Sequence, residues 1–252
     1  MRALRGLLLP AGSILIWELA ARSGFIVAES LSFPSAILAA GFGAVRDGSL
    51  VQATKETFGA ALAGMALGAA LGIAGGVAFG LWHLAAALMR LSTEALRPIP
   101  SVALIPLSLL IYGFGYRMEI AVVAFACFWP LLIITETAVR GIEPRLIDVS
   151  RALGLSMPAR ICKIVLPAAL PRVFVGLRLA AAVALVVAVT VEITANPIGL
   201  GYALIVAQES MNPDRMFVFL LWIGFLGWLV NAVLARAQAR WFGRMGNWAE
   251  QP

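Results

Sequence analysis

Charge is scarce in this chain. Only 13% of its 252 residues are Asp, Glu, Lys or Arg, about half the share of an ordinary soluble domain. Histidine occurs once, at His83, and cysteine twice, at Cys127 and Cys162, with no Cys-x-x-Cys and no Cys/His cluster. These shortages exclude a zinc centre and a disulfide scaffold. Lysine is as rare. Lys55 and Lys163 follow Thr54 and Cys162, so no Gly-Lys pair exists and no phosphate-cradling P-loop can form. No acid, base and nucleophile stand at a convincing catalytic spacing. The expectation is a chain that is not an enzyme, binds no metal and holds no cofactor of its own.

What the chain has instead is apolar surface. Its hydrophobic share is 62% and its mean hydropathy +0.94. A soluble domain of this size cannot bury so much, which implies a polytopic membrane protein. The net charge of +6 then reads as a cytoplasmic basic excess and not as a nucleic-acid footprint.

A bilayer core of roughly 30 Å takes about 20 helical residues. Six segments approach that length, near 6–21, 57–82, 93–112, 119–139, 168–195 and 216–235. None alternates with period two, so a barrel is disfavoured and the fold class is all-α. The run Gly6–Ala21 follows Arg2 and Arg5 as a signal peptide would, but Trp17-Glu18 stands where small residues should precede cleavage, so an uncleaved first helix is expected. Polar stretches lie at 22–56, where Phe33-Pro34-Ser35 precedes an amphipathic Ala36–Val45, and at 140–167. In Ala195–Arg215, turn residues flank a short helical run, Tyr202–Glu209. With the N-terminus inside, twelve loop Lys and Arg residues, Arg244 among them, fall on the inner side against five outside. Both termini are therefore expected in the cytoplasm.

Three features stand out inside the spans. Gly64, Gly68, Gly72, Gly76 and Gly80 recur every fourth residue, which lines them up as one bare ridge for close helix packing. Pro98, Pro100 and Pro106 interrupt the third span, a break suited to a pathway or to a simple kink. Glu18, Glu94, Glu136, Arg178 and Glu192 are ionisable groups in or beside apolar runs. Arg178 and Glu192 share a helix face but lie about 21 Å apart. Arg178 is therefore expected to pair with an acid on another helix or to line an anion path.

The segment 140–167 carries the most specific pattern. Asp148-Val149-Ser150, three residues, Gly154, nine residues and Ile164-Val165-Leu166-Pro167 resemble the EAA coupling motif of ATP-binding cassette (ABC) importer permeases. Asp148 stands for Glu, and Val149-Ser150 for Ala-Ala. The stretch reads as a short helix, a left-handed stop at Gly154, and a second helix from Ser156 and Pro158 that Leu166-Pro167 ends. Leu146, Ile147, Val149 and Leu153 would give it an apolar side, and Arg145, Arg151, Arg160 and Lys163 a basic rim. Trp17-Glu18-Leu19-Ala20, Phe33-Pro34-Ser35, Leu96-Arg97-Pro98-Ile99-Pro100 and Gly199-Leu200-Gly201-Tyr202 are similar to the nitrate/sulfonate/taurine/bicarbonate branch.

The resemblance implies a type I, MetI-like permease fold, one transmembrane domain over 1–252, in a bacterial inner membrane. It implies a homodimer with two ATPase subunits that bind ATP and Mg, and a periplasmic solute-binding protein. Coupling falls to Asp148, Val149, Ser150, Gly154, Ile164, Leu166 and Pro167. Candidate path residues are Pro100, Ser101, Pro106, Tyr112, Glu192 and Asn196. The solute would be an organic sulfonate such as taurine or an alkanesulfonate, nitrate or bicarbonate, with a vitamin or pyrimidine precursor as the alternative. An ion-coupled secondary transporter is the alternative class, and a membrane scaffold without transport is a third. The solute itself is not written in the sequence.

Overall fold

The computed structural model describes residues 2–23 and 32–242; Arg244 of the charge tally lies outside them. Every regular element among these residues is helical. The α-helices are α1 (Arg2–Arg22), α2 (Pro34–Arg46), α3 (Ser49–Leu81), α4 (His83–Leu96), α5 (Ile105–Tyr112), α6 (Tyr116–Arg140), α7 (Pro144–Ala152), α8 (Met157–Arg160), α9 (Leu166–Thr194), α10 (Gly199–Glu209) and α11 (Pro213–Phe242). Four stretches, within α3, α6, α11 and the continuous Met157–Thr194, are long and apolar enough to cross a membrane, and a bent pair over 83–112 would be a fifth. The remaining expected span coincides with α1, 21 residues long.

The bundle is centred on α3, α6 and α9, whose buried faces are built from small residues. Ala61 and Ala69 of α3, Val123 and Cys127 of α6, and Ala180, Ala184 and Ala188 of α9 share one core. The glycine ridge is what brings α3 onto α6. A Cβ on Gly68 would sit 2.5 Å from the Ala124 carbonyl oxygen, and one on Gly76 2.5 Å from Thr135 Cβ. Only a bare backbone permits that approach, and dispersion between the two helices is the return. A second core joins Ile37 of α2, Leu50 of α3, Leu200 of α10 and Phe219 of α11.

Helix α3 begins eight residues earlier than the expected span, behind a left-handed Gly48 at its N-cap, and there Asp47 Oδ1 accepts the Ser49 amide at 3.0 Å. The motifs around Trp17 and Phe33 meet in space. Phe33 cannot cap α2 with its own side chain; instead Glu18 accepts the Ser35 amide at 3.0 Å and the Ser35 hydroxyl at 2.8 Å, while Arg22 bonds Glu18 and lies over the Phe33 ring. A carboxylate at a helix N-terminus is favoured by the macrodipole.

The third span is broken where its prolines stand. α4 and the segment Ser101–Tyr112 meet at 85°, and Ser101–Leu104 is a 3₁₀ turn, because Pro98 and Pro100 supply no amide and clash with the preceding turn. One expectation is corrected: Leu166-Pro167 does not end a helix. Ile161–Val165 forms a π turn that widens the helix where the Pro167 ring would strike the carbonyl four residues back, and the helix runs on to Thr194.

Candidate functional site

The EAA-like segment folds as an elbow. α7 starts with Pro144 in its first turn and stops at Gly154, whose φ is +64°. The Gly154 amide donates to the Arg151 carbonyl at 2.9 Å and the Leu155 amide to the Ser150 carbonyl at 3.1 Å, the two bonds of a Schellman stop. Space around Gly154 is open, so the backbone conformation alone selects glycine there. Ser156 then stands at the N-cap of α8 with no side-chain cap bond.

The motif residues divide by face. Ser150 is fully buried and its hydroxyl returns to the Ile147 carbonyl at 2.5 Å, so a small residue is required there. Ile164 and Leu166 are half-buried, and Ile147 packs on the core of Val165, Ala169 and Val173. Asp148, Val149, Gly154 and Pro167 are exposed. The expected apolar side is thus split, with Ile147 turned inward and Leu146, Val149 and Leu153 outward. Arg145 and Arg151 flank them, exposed, with Arg151 3.2 Å from Asp148. Exposed leucines and valine ringed by arginine form a surface suited to docking in a groove of another protein.

The other sequence candidates lie elsewhere. Pro100, Pro106 and Tyr112 are exposed and Ser101 is half-buried on the break of the third span. Beside that break, a cavity of about 410 Å³ is lined by Thr93, Glu94, Arg97, Trp129 and Glu136. Among the described residues Arg178 meets no acid; its Nε donates to Asn231 Oδ1 of α11 at 2.9 Å, an amide taking the place of the expected acid.

Glu192 and Asn196 are buried in a polar node at the end of the bundle opposite the elbow. Asn196 Nδ2 donates to Glu119 Oε2 at 2.7 Å, and its Oδ1 accepts the Gly115 amide at 2.8 Å. Glu192 Oε2 accepts the Gly201 amide at 2.8 Å, Thr57 Oγ1 the Leu200 amide at 2.9 Å, and Glu56 the Gly199 amide at 3.0 Å. These bonds explain Gly199-Leu200-Gly201. At Gly199, φ +90°, a Cβ would collide with the Glu192 carboxylate, and at Gly201 it would lie 2.5 Å from the Val189 carbonyl oxygen. Sequence reasoning missed Glu119, Glu56 and Thr57 as partners. The available signal was an acid, Glu119, at the very start of an apolar run.

Comparison with known proteins agrees with this geometry. Residues 64–246 match the family described as Binding-protein-dependent transport system inner membrane component. The chain is 30% identical over 241 residues to the aliphatic sulfonates transport permease protein SsuC of Bacillus subtilis, covering 94% of this chain and 87% of the relative. It is 31% identical to SsuC of Escherichia coli over 236 residues, 92% of this chain and 90% of that one. Against the bicarbonate transport system permease protein CmpB of Synechococcus elongatus it is 32% identical over 152 residues, 60% of this chain and 54% of that one. The fold matches the inward-facing MetNI methionine ABC transporter with a TM-score of 0.64 at 21% identity, over 76% of this chain and 95% of the other. The chain therefore belongs to the inner-membrane components of binding-protein-dependent transport systems, as a permease of the ABC importer branch that includes sulfonate, nitrate and bicarbonate permeases.

Proposed function

We propose that this permease imports a small anion of the organic sulfonate class as a homodimer, driven by two ATPase subunits and fed by a periplasmic solute-binding protein. The whole chain acts as one transmembrane unit with both termini in the cytoplasm. The observation that carries the energetic part is the elbow: Leu146, Val149 and Leu153 are exposed beside Arg145 and Arg151, on a helix fixed by the left-handed Gly154. ATP and Mg stay on the partner subunits, where closure of the nucleotide sites would push α7 and change the access of the bundle. Pro100, Ser101, Pro106 and Tyr112 line the route at the break of the third span, and Glu192 and Asn196 set its far end. The nitrogen- or carbon-centred anions and the vitamin or pyrimidine precursors remain rival cargoes for a binding assay on the periplasmic partner. The sulfonate choice rests on the near full-length similarity to the two sulfonate permeases.

The deciding experiment is reconstitution in proteoliposomes with the cognate ATPase and binding protein. Uptake of a labelled alkanesulfonate should require ATP, and Gly154→Trp should abolish both uptake and solute-stimulated ATPase. Uptake without ATP, driven by an ion gradient, would assign the chain to secondary transport instead.

A further inference from the structure

Glu119 and Glu192 approach each other from α6 and α9. Both are buried, at 0% and 2% exposure. Their carboxyl groups lie within hydrogen-bonding reach of one another. Each Oε2 has its donor, Asn196 Nδ2 for Glu119 and the Gly201 amide for Glu192. Each Oε1 is buried with none. Among the described residues neither acid forms an ion pair. The titratable groups facing the pair are Glu56 from α3 and Tyr116 from α6, and α10 offers backbone amides. No cation is among them.

Two carboxylates in contact, away from water and without a counter-charge, cannot both remain ionised. A single proton resolves both orphan oxygens, since a protonated Oε1 donates to the other Oε1. We propose that Glu119 and Glu192 form a proton-binding site that holds one shared proton and clasps the start of α6 to the end of α9. Glu56 reinforces the clasp indirectly, by fixing the Gly199 turn. The site stands apart from the elbow and from the cavity at the broken span.

The test uses the full-length chain in lipid nanodiscs. Infrared spectra at neutral pH should show a carboxylic-acid C=O band that shifts in D₂O. Glu119→Gln and Glu192→Gln should each lose it, because the amide N–H then donates where the proton sat. Unfolded glutamates release their protons above about pH 4.3, so the folded state binds one proton more. Stability should therefore fall as pH rises, by about tenfold in the folding constant per pH unit until the pair also releases its proton. Both Gln variants should flatten that dependence, and Glu56→Gln should keep it. The proposal is overturned by the lack of an acid band in the wild type, or by a band and pH dependence that both Gln variants retain. If one variant fails to fold, the other assigns the band; if both fail, its presence or absence in the wild type decides.

Discussion

The helical glycines make a graded prediction, because those on the α3 ridge and those off it meet different obstacles. At Gly68 a new Cβ would lie 2.5 Å from the Ala124 carbonyl oxygen and 3.0 Å from Cys127 Cβ. Neither is the free end of a side chain, so α3 and α6 must separate. Ordinary carbon contacts begin near 3.5 Å, and a gap of about 1 Å forfeits up to about half of each dispersion well along the seam. Overpacking of this kind costs about 1–3 kcal/mol, and Gly68→Ala should fall at the upper end. At Gly75 the obstacle is the Leu132 Cδ1 methyl at 2.8 Å, which can rotate away, so Gly75→Ala should cost about 1 kcal/mol or less. At Gly43, in α2, nothing lies within 4 Å, and Gly43→Ala should stabilise by about 0.5–1 kcal/mol through helix propensity alone. Denaturant unfolding in mixed micelles, followed by tryptophan fluorescence, ranks the three variants. If Gly68→Ala is as stable as the wild type, or Gly43→Ala loses as much as Gly68→Ala, the close-packed seam is not what holds α3 to α6.

Three further outcomes are expected. Gly154→Ala meets no atom but must adopt φ near +64°, at a cost of about 1–2 kcal/mol. It should loosen the elbow and lower solute-stimulated ATPase, and a D-alanine introduced by semisynthesis should restore both. Asn231→Ala removes the acceptor of Arg178 Nε; interhelical hydrogen bonds in membranes average about 0.6 kcal/mol, so a double-mutant cycle with Arg178→Leu should return a coupling of that order. Hydrogen bonds from Ser49, then the Arg215 guanidinium, hold Asp47 below the usual carboxylate range. A lowered folded-state value means the stabilising contact is intact at neutral pH and is lost as pH falls through that value. Protection of the Ser49 amide against exchange, taken relative to its intrinsic rate at each pH, should therefore fall in acid, and Asp47→Asn should show the lower protection already at neutral pH.

Spacing made the backbone of this permease legible. The every-fourth-residue glycines placed a seam on α3, and the interval from Asp148 to Gly154 to Ile164 placed the elbow, because both depend on distances along one chain. What spacing could not reveal was which distant segments meet. Glu18 and Ser35, Arg178 and Asn231, and Glu119, Glu192 and Asn196 are partners brought together by tertiary packing. Proline misled in one place and guided in another. At Pro98 and Pro100 it broke the helix, while at Pro167 a π turn absorbed it, a choice that depends on whether neighbouring helices support the widened turn.

The helix that absorbs Pro167 has a mechanical consequence. Leu166 and Glu192 ride on the same 29-residue α9, a rod of about 43 Å at 1.5 Å per residue. A pivot of about 5° at its elbow end sweeps the opposite end through nearly 4 Å, more than a hydrogen bond can stretch. A small rocking at the elbow would thereby be geared up, without any bending of the rod, into a displacement large enough to part α9 from α6 where the two acids meet.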